Sequence, residues 1–142
     1  MILIAHRGNV YGRTQSMENT IEYTNMALDK GYDVEVDVNY YKEHELLYLG
    51  HNKNSEIIEV DFLKNKRLWC HCKTLDALEL CRDNNIPNYF WHQRDAYTLT
   101  SSGYIWAFPG EKVNKNTIVV CRDTDGAEGC AGICSNYVEL FK

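Results

Sequence analysis

Short apolar runs recur along the chain, separated by polar and glycine-bearing segments. Eight stand out, at residues 2–6, 33–38, 46–49, 68–72, 89–91, 104–108, 118–120 and 131–134. Most are rich in β-branched or aromatic residues, the composition of strands. Several intervening segments carry helical spacing instead. Residues 17–30 set Ile21 and Leu28 on one stripe and stop before Gly31, a favourable residue just past a helix end. Residues 55–66 space Ile58, Phe62 and Leu63 as a helix does, and Thr74 is an N-cap for a helix over 75–82. Strand, helix, strand is the pattern of parallel βα units. The later connections are too short for full helices, since a parallel crossover needs about a dozen residues. The expected fold is α/β: a compact (β/α)8 TIM-type barrel with shortened or missing helices. An open α/β sheet competes, because such barrels usually take about 250 residues.

Composition narrows the class. The chain has 142 residues with no linker or low-complexity stretch, so one domain over 1–142 is expected. No apolar run approaches the about 18 residues of a membrane helix, so no transmembrane segment is expected. The net charge of −5 is the wrong sign for a generic nucleic-acid binder, and no nucleic-acid partner is expected. Met1 leads directly into Ile2-Leu3-Ile4-Ala5-His6 without the basic and apolar regions of an export leader. A cytoplasmic location follows as an expectation, with the six cysteines reduced. Six of 142 residues, about 4%, is also well below the about 8–10% of a disulfide scaffold.

Candidate chemistry begins at Asp33-Val34-Glu35-Val36-Asp37-Val38. On a strand, side chains alternate between faces. Glu35 and Asp37 share one face and the three valines the other. If the valines meet covering helices, the carboxylates point inward, and two nearby buried anions need a compensating cation or donors. The competing reading is an antiparallel strand with one solvated face. His6-Arg7-Gly8 ends one strand and Gly50-His51-Asn52 follows another. Histidine moves protons near neutral pH and arginine matches phosphate oxygens, although a strand-end histidine is often satisfied by backbone alone.

In this order and spacing, His6-Arg7-Gly8, Glu18-Asn19-Thr20, Glu35-Val36-Asp37 and Gly50-His51-Asn52 resemble the N-terminal half of the glycerophosphodiester phosphodiesterase family, phospholipase-C-like β/α barrels. Trp69-Cys70-His71-Cys72-Lys73 falls where that family carries a Glu-x-Lys strand. Gly132-Ile133-Cys134-Ser135-Asn136 resembles its last strand. The resemblance implies His6 and His51 as the catalytic acid/base pair, and Glu35 and Asp37 as ligands of a Mg²⁺ or Ca²⁺ ion. It also implies Arg7 and Lys73 as phosphate contacts. His71 stands where the family has its third metal carboxylate. As a ligand it makes Mn²⁺ or Zn²⁺ possible, since imidazole suits those ions better than Ca²⁺. Asn52 stands where the family has Asp.

The expected function is metal-dependent hydrolysis of a small, glycerophosphodiester-like phosphodiester by two-histidine acid/base catalysis. Two alternatives stay open: a barrel that binds phosphate esters with little or no turnover, and a structural protein whose carboxylates are solvated. Cys70 and Cys72 are expected on the face opposite His71, as apolar fillers, and their spacing does not fit a structural zinc site. Trp91, His92 and Trp106 form either an apolar substrate rim, with Trp106 as the candidate contact, or core packing. Thin helical cover leaves a flank that a second copy could bury, making a homo-oligomer possible.

Overall fold

The computed structural model describes residues 1–51, 56–121 and 128–142. Its strands are β1 (Ile2–His6), β2 (Asp33–Tyr41), β3 (Leu46–Leu49), β4 (Glu56–Ile57), β5 (Leu68–Cys72), β6 (Tyr89–Trp91), β7 (Tyr97–Leu99), β8 (Ile105–Ala107), β9 (Thr117–Cys121) and β10 (Gly132–Ser135). Two α-helices accompany them, α1 (Ile21–Asp29) and α2 (Leu75–Asp83). All ten strands join one sheet. Seven run parallel, in the order β6, β5, β2, β1, β10, β9, β8. Three are antiparallel: β3 on β2, β4 on β3, and β7 on β8. The parallel run curls until its ends meet, with the Phe90 ring of β6 4.5 Å from the Trp106 ring of β8 and the Ser101 N–H, in the turn after β7, donating to the Tyr89 carbonyl at 2.8 Å. No ladder joins β6 to β8 among the described residues.

The (β/α)8 TIM-type barrel is therefore corrected to a curled, mixed, strand-rich sheet with two α-helices among the described residues. The cause is chain length. Among the described residues α-helices lie in the β1 to β2 and β5 to β6 crossovers, while β3, β4 and 3-10 turns occupy the connection from β2 to β5. β3 returns antiparallel across a 3-10 turn at Lys42–His44, because β2 runs on to Tyr41 and leaves no length for a crossover.

Two helix expectations also change. Helix α1 begins at Ile21 rather than at 17, with the Thr20 hydroxyl accepting from Tyr23 N–H. Asn19 has φ 59, a left-handed value incompatible with helix, and its amide is used elsewhere. The helix expected over 55–66 is instead the short strand β4 and a 3-10 turn at Val60–Lys64. Its β-branched Ile57, Ile58 and Val60 disfavour α-helix. Ser55 lies outside the described residues. Thr74 does cap α2, accepting from Ala77 N–H.

Strand alternation produces two apolar layers. Val34, Val36, Val38, Cys70 and Cys72 face outward, against Ala27 of α1 and Ala77, Leu80 and Cys81 of α2. Ile4, Trp69, Phe90, Trp106, Ile118 and Cys134 face inward and pack on one another. No helix among the described residues is long and apolar enough to cross a membrane.

Gly132 lets β1 and β10 approach in parallel. A β-carbon there would meet the Ile2 carbonyl oxygen at 2.6 Å and Ile2 Cβ at 2.8 Å. Backbone oxygen cannot swing away as a side chain does. Gly132→Ala should cost about 1–3 kcal/mol, the usual range for overpacking. Urea unfolding checks it, and an unchanged midpoint would show that the two strands separate freely.

Candidate active site

Strand β2 organises the site. Its Val34–Val38 stretch pairs with β5 along one edge. On the other edge it pairs first with β1, up to Glu35, and then with β3, from Val38. Between those ladders β1 leaves and β3 arrives, which brings His6-Arg7 and Gly50-His51 to the same stretch of β2. The Arg7 N–H donates to the Glu35 carbonyl at 2.9 Å and the Gly50 N–H to the Asp37 carbonyl at 3.1 Å. Arg7 and Asn19 both hold left-handed backbones, φ 55 and 59. Non-glycine residues in that region cost about 1–3 kcal/mol each and cluster at functional sites. Gly8, at φ 89, completes the turn, and a β-carbon there would lie 2.7 Å from Tyr23 Cδ2.

Glu35 is 0% exposed and Asp37 1%, so both anions are fully withdrawn from water. Cationic and donor groups surround them. Asp37 Oδ2 accepts from Asn19 Nδ2 (3.0 Å) and pairs with Arg7 Nε (3.0 Å) and His51 Nδ1 (3.7 Å). Glu35 Oε2 takes the Arg7 N–H at 3.3 Å and faces His6 Nε2 at 3.5 Å. Burial pushes the Glu35 carboxyl upward, but the charges of His6, His71 and Arg7 outweigh it and hold it well below the usual range. For His51, burial leads and the Arg7 charge follows; together they lower the imidazole against the opposing pull of Asp37.

The second oxygens of the pair are different. Glu35 Oε1 and Asp37 Oδ1 are buried with no hydrogen-bond partner. Both face His71 Nδ1, at 3.4 and 3.7 Å, distances of ion pairs rather than aligned hydrogen bonds. The other nitrogen, Nε2, lies 2.7 Å from the His92 carbonyl oxygen. Lys73 Nζ, which only donates, is farther from Nε2 at 3.3 Å; the shorter contact is to a carbonyl, which only accepts, and it puts a hydrogen on Nε2. In the neutral ring Nδ1 then presents a lone pair. Three acceptor atoms converge, and one donor atom from each of Glu35, Asp37 and His71 lies within 4.8 Å of the others. Two carboxylate oxygens and one imidazole nitrogen are the donor set of a divalent cation, with imidazole favouring Mn²⁺ or Zn²⁺ over Ca²⁺. The residues present fit a metal.

A cavity of about 300 Å³ opens beside this cluster, lined by His6, Glu35, His71, Phe108 and Asn136 among others. The structure brings Glu35, Asp37, His71, Arg7 and His6 into one cluster. Lys73 Nζ joins it, 3.5 Å from Asp37 Oδ1 and 3.3 Å from His71 Nε2. His51 sits on the Asp37 side, outside the cavity lining, and its side chain is 47% exposed. Trp106 is 2% exposed, packs against Phe90 and Trp69, and lines the cavity. Trp91 is on the opposite face of β6 from Phe90 and is partly solvated. His92 is buried, with Nε2 donating to the Asp95 carbonyl at 2.6 Å. Cys70 and Cys72 lie in the outer layer, away from the acceptor cluster. Asn52 lies outside the described residues.

Sequence reasoning missed Asn9, assigned no role to Asn19 or Asn136, and left Glu18 as part of a motif. Asn19 is held to Asp37 twice, as donor to its carboxylate and as acceptor of its N–H at 2.9 Å. Glu18 accepts from Arg13 Nε (3.0 Å), Asn9 Nδ2 (3.1 Å) and Arg7 Nη1 (3.3 Å). Burial raises its carboxyl, and these three donors together bring it below the ordinary value. A polar residue after a strand gives no sign of being buried; only its partners do, and they come from distant segments. Compared with protein-family models, with curated proteins and with solved structures, the chain has no match.

Proposed function

We propose that this protein is a metal-dependent phosphodiesterase of the glycerophosphodiester phosphodiesterase type, acting on a small phosphodiester. The observation that carries the reading is the convergence on His71 Nδ1 of two buried carboxylate oxygens that have no hydrogen-bond partner. With the His71 ring neutral these are three inward-facing acceptors, which a bound divalent cation would compensate beyond what Lys73 Nζ, 3.5 Å from Asp37 Oδ1, supplies. Glu35, Asp37 and His71 would hold that cation. A bound divalent ion would withdraw charge from a phosphoryl oxygen.

The chain's own groups account for the remaining chemistry. Arg7 and Lys73 add positive charge beside the carboxylate pair, where negative charge grows on the phosphoryl oxygens. Arg7 is oriented for this by Asp37 and Glu18. An attacking hydroxyl forms a bond to phosphorus and loses its proton to one of His6 and His51. The other imidazole protonates the oxygen of the P–O bond that breaks. His6 beside Glu35 and His51 beside Asp37 flank the pair on its two sides. Trp106, packed on Phe90 and Trp69, gives the cavity an apolar base.

Hydrolysis of bis-p-nitrophenyl phosphate and of glycerophosphodiesters, with Mg²⁺, Mn²⁺, Ca²⁺ and Zn²⁺ in turn, tests this. Metal-dependent turnover, lowered about 10²–10⁴-fold in His6→Ala, is the expected result. No turnover with any metal would sink it. Ester binding without turnover would then favour a phosphate-binding pocket.

His71 gives a further prediction. His71→Glu replaces a nitrogen donor by an oxygen donor and adds a negative charge. Preference should move toward Mg²⁺ or Ca²⁺. Metal titrations of activity measure it, and unchanged selectivity would remove His71 from the cation.

A further inference from the structure

A histidine that moves protons must present the right nitrogen. In this chain buried amides decide which nitrogen of His6 that is, and the deduction starts from groups whose roles are fixed. The Thr14 backbone N–H can only donate, and it donates to Asn9 Oδ1 at 3.1 Å. The Glu18 carboxylate can only accept, and Asn9 Nδ2 donates to its Oε1 at 3.1 Å. Both partners impose the same orientation on the Asn9 amide. Asn9 Nδ2 also donates to Asn136 Oδ1 at 3.0 Å, which fixes the Asn136 amide in turn. His6 Nδ1 lies 2.8 Å from that same oxygen. An amide oxygen does not donate, so His6 Nδ1 carries the hydrogen.

We infer that Asn136, held in place by Asn9 and Glu18, is a positioning residue that locks His6 with its hydrogen on Nδ1 and confines the moving proton to Nε2. That nitrogen is the one beside Glu35, 3.5 Å from its Oε2. Asn9 is 0% exposed and Glu18 8%, so water is a poor replacement for the bonds of this relay. Arg13 and Arg7 anchor its far end by pairing with Glu18. The bond from Nδ1 to Asn136 stays in place whether Nε2 is bare or protonated, so the ring exchanges a proton at Nε2 without turning. Three segments meet here: the turn after β1, the residues before α1, and the residue after β10. None gives the relay alone.

The link to catalysis rests on the phosphodiesterase reading; the tautomer does not. The test therefore has two readouts. Ring ¹⁵N shifts of His6 are recorded in alkaline buffer, above the ordinary histidine pKa of about 6.5, and assigned by their loss in His6→Gln. The wild-type protein should show one neutral tautomer, with the hydrogen on Nδ1. In Asn136→Leu that preference should be lost, and kcat should fall about 10–100-fold while KM stays within about twofold. Asn136→Asp keeps an acceptor at the same place and should restore both the tautomer and most of kcat. If Asn136→Leu does not fold, Asn9→Leu breaks the same relay one step back and should weaken the preference. A wild-type His6 with its hydrogen on Nε2, or an unaltered tautomer in both leucine variants, would overturn the inference. Absence of hydrolysis in the wild-type protein would defeat the phosphodiesterase reading, and the ring nitrogens would still decide the tautomer.

Discussion

Glu35→Gln is expected to lower metal-dependent phosphodiester hydrolysis about a thousandfold or more. The substitution keeps the shape of the side chain and removes one negative donor from a cluster that holds only two. Metal charge stabilisation is worth several kcal/mol in a transition state, and each 1.36 kcal/mol is about tenfold in rate. A second readout separates loss of the cation from loss of chemistry. A divalent ion that binds only the folded chain adds about 2.7 kcal/mol at a hundred times its Kd. At about 2–4 °C per kcal/mol for a chain near this size, the wild-type Tm should rise about 5–10 °C with the preferred metal. Glu35→Gln should lose most of that rise. His6→Ala should keep it while losing activity, because His6 faces Glu35 Oε2 and not the Oε1 that faces His71. A Glu35→Gln protein with wild-type metal-dependent turnover would remove the carboxylate pair from the chemistry.

Why the site could be read at all is visible in the strand period. Inward positions recur every second residue: Ile4 and His6, Glu35 and Asp37, Trp69 and His71, Trp106 and Phe108, Cys134 and Asn136. The outward valines of β2 pack under both helices, so the carboxylates between them are forced inside. Alternation alone gives that much, and all eight apolar runs do form strands. It does not reveal strand direction. β3 has the same composition whether parallel or antiparallel, and the outcome depends on Asn39, Tyr40 and Tyr41 extending β2. Nor does alternation reach the turns. Residues 17–19 have a helical pattern, yet Asn19 is drawn out of the helix by two hydrogen bonds to Asp37. Trp106 shows the converse limit: an aromatic near a cavity serves equally as wall or floor, and only its packing on Phe90 and Trp69 decides.

Phe90→Ala is expected to cost about 3–5 kcal/mol of folding stability, the range for truncating a buried phenylalanine. Phe90 is 2% exposed and stands where the two ends of the curled parallel run meet. Its ring lies 4.5 Å from that of Trp106 on β8 and stacks 4.8 Å from the His71 imidazole. With no ladder joining β6 to β8 among the described residues, these ring contacts pack the inner side of a seam whose hydrogen bonds run between Tyr89 and Ser101, in the turn after β7. Against a total of about 5–15 kcal/mol for a domain, the loss is large. It should appear as a lower urea midpoint. Phe90→Leu, which refills most of the volume, should cost only about 1 kcal/mol. The same ring also bears on the acceptor cluster. His71 is held between the His92 carbonyl on one side and the Phe90 face on the other. Phe90→Ala should therefore weaken metal affinity as well, measured under conditions where the variant is folded. A variant that unfolds near the wild-type midpoint would mean that the sheet ends are joined by something other than this aromatic seam. One that keeps full metal affinity would mean that the His92 carbonyl alone fixes His71.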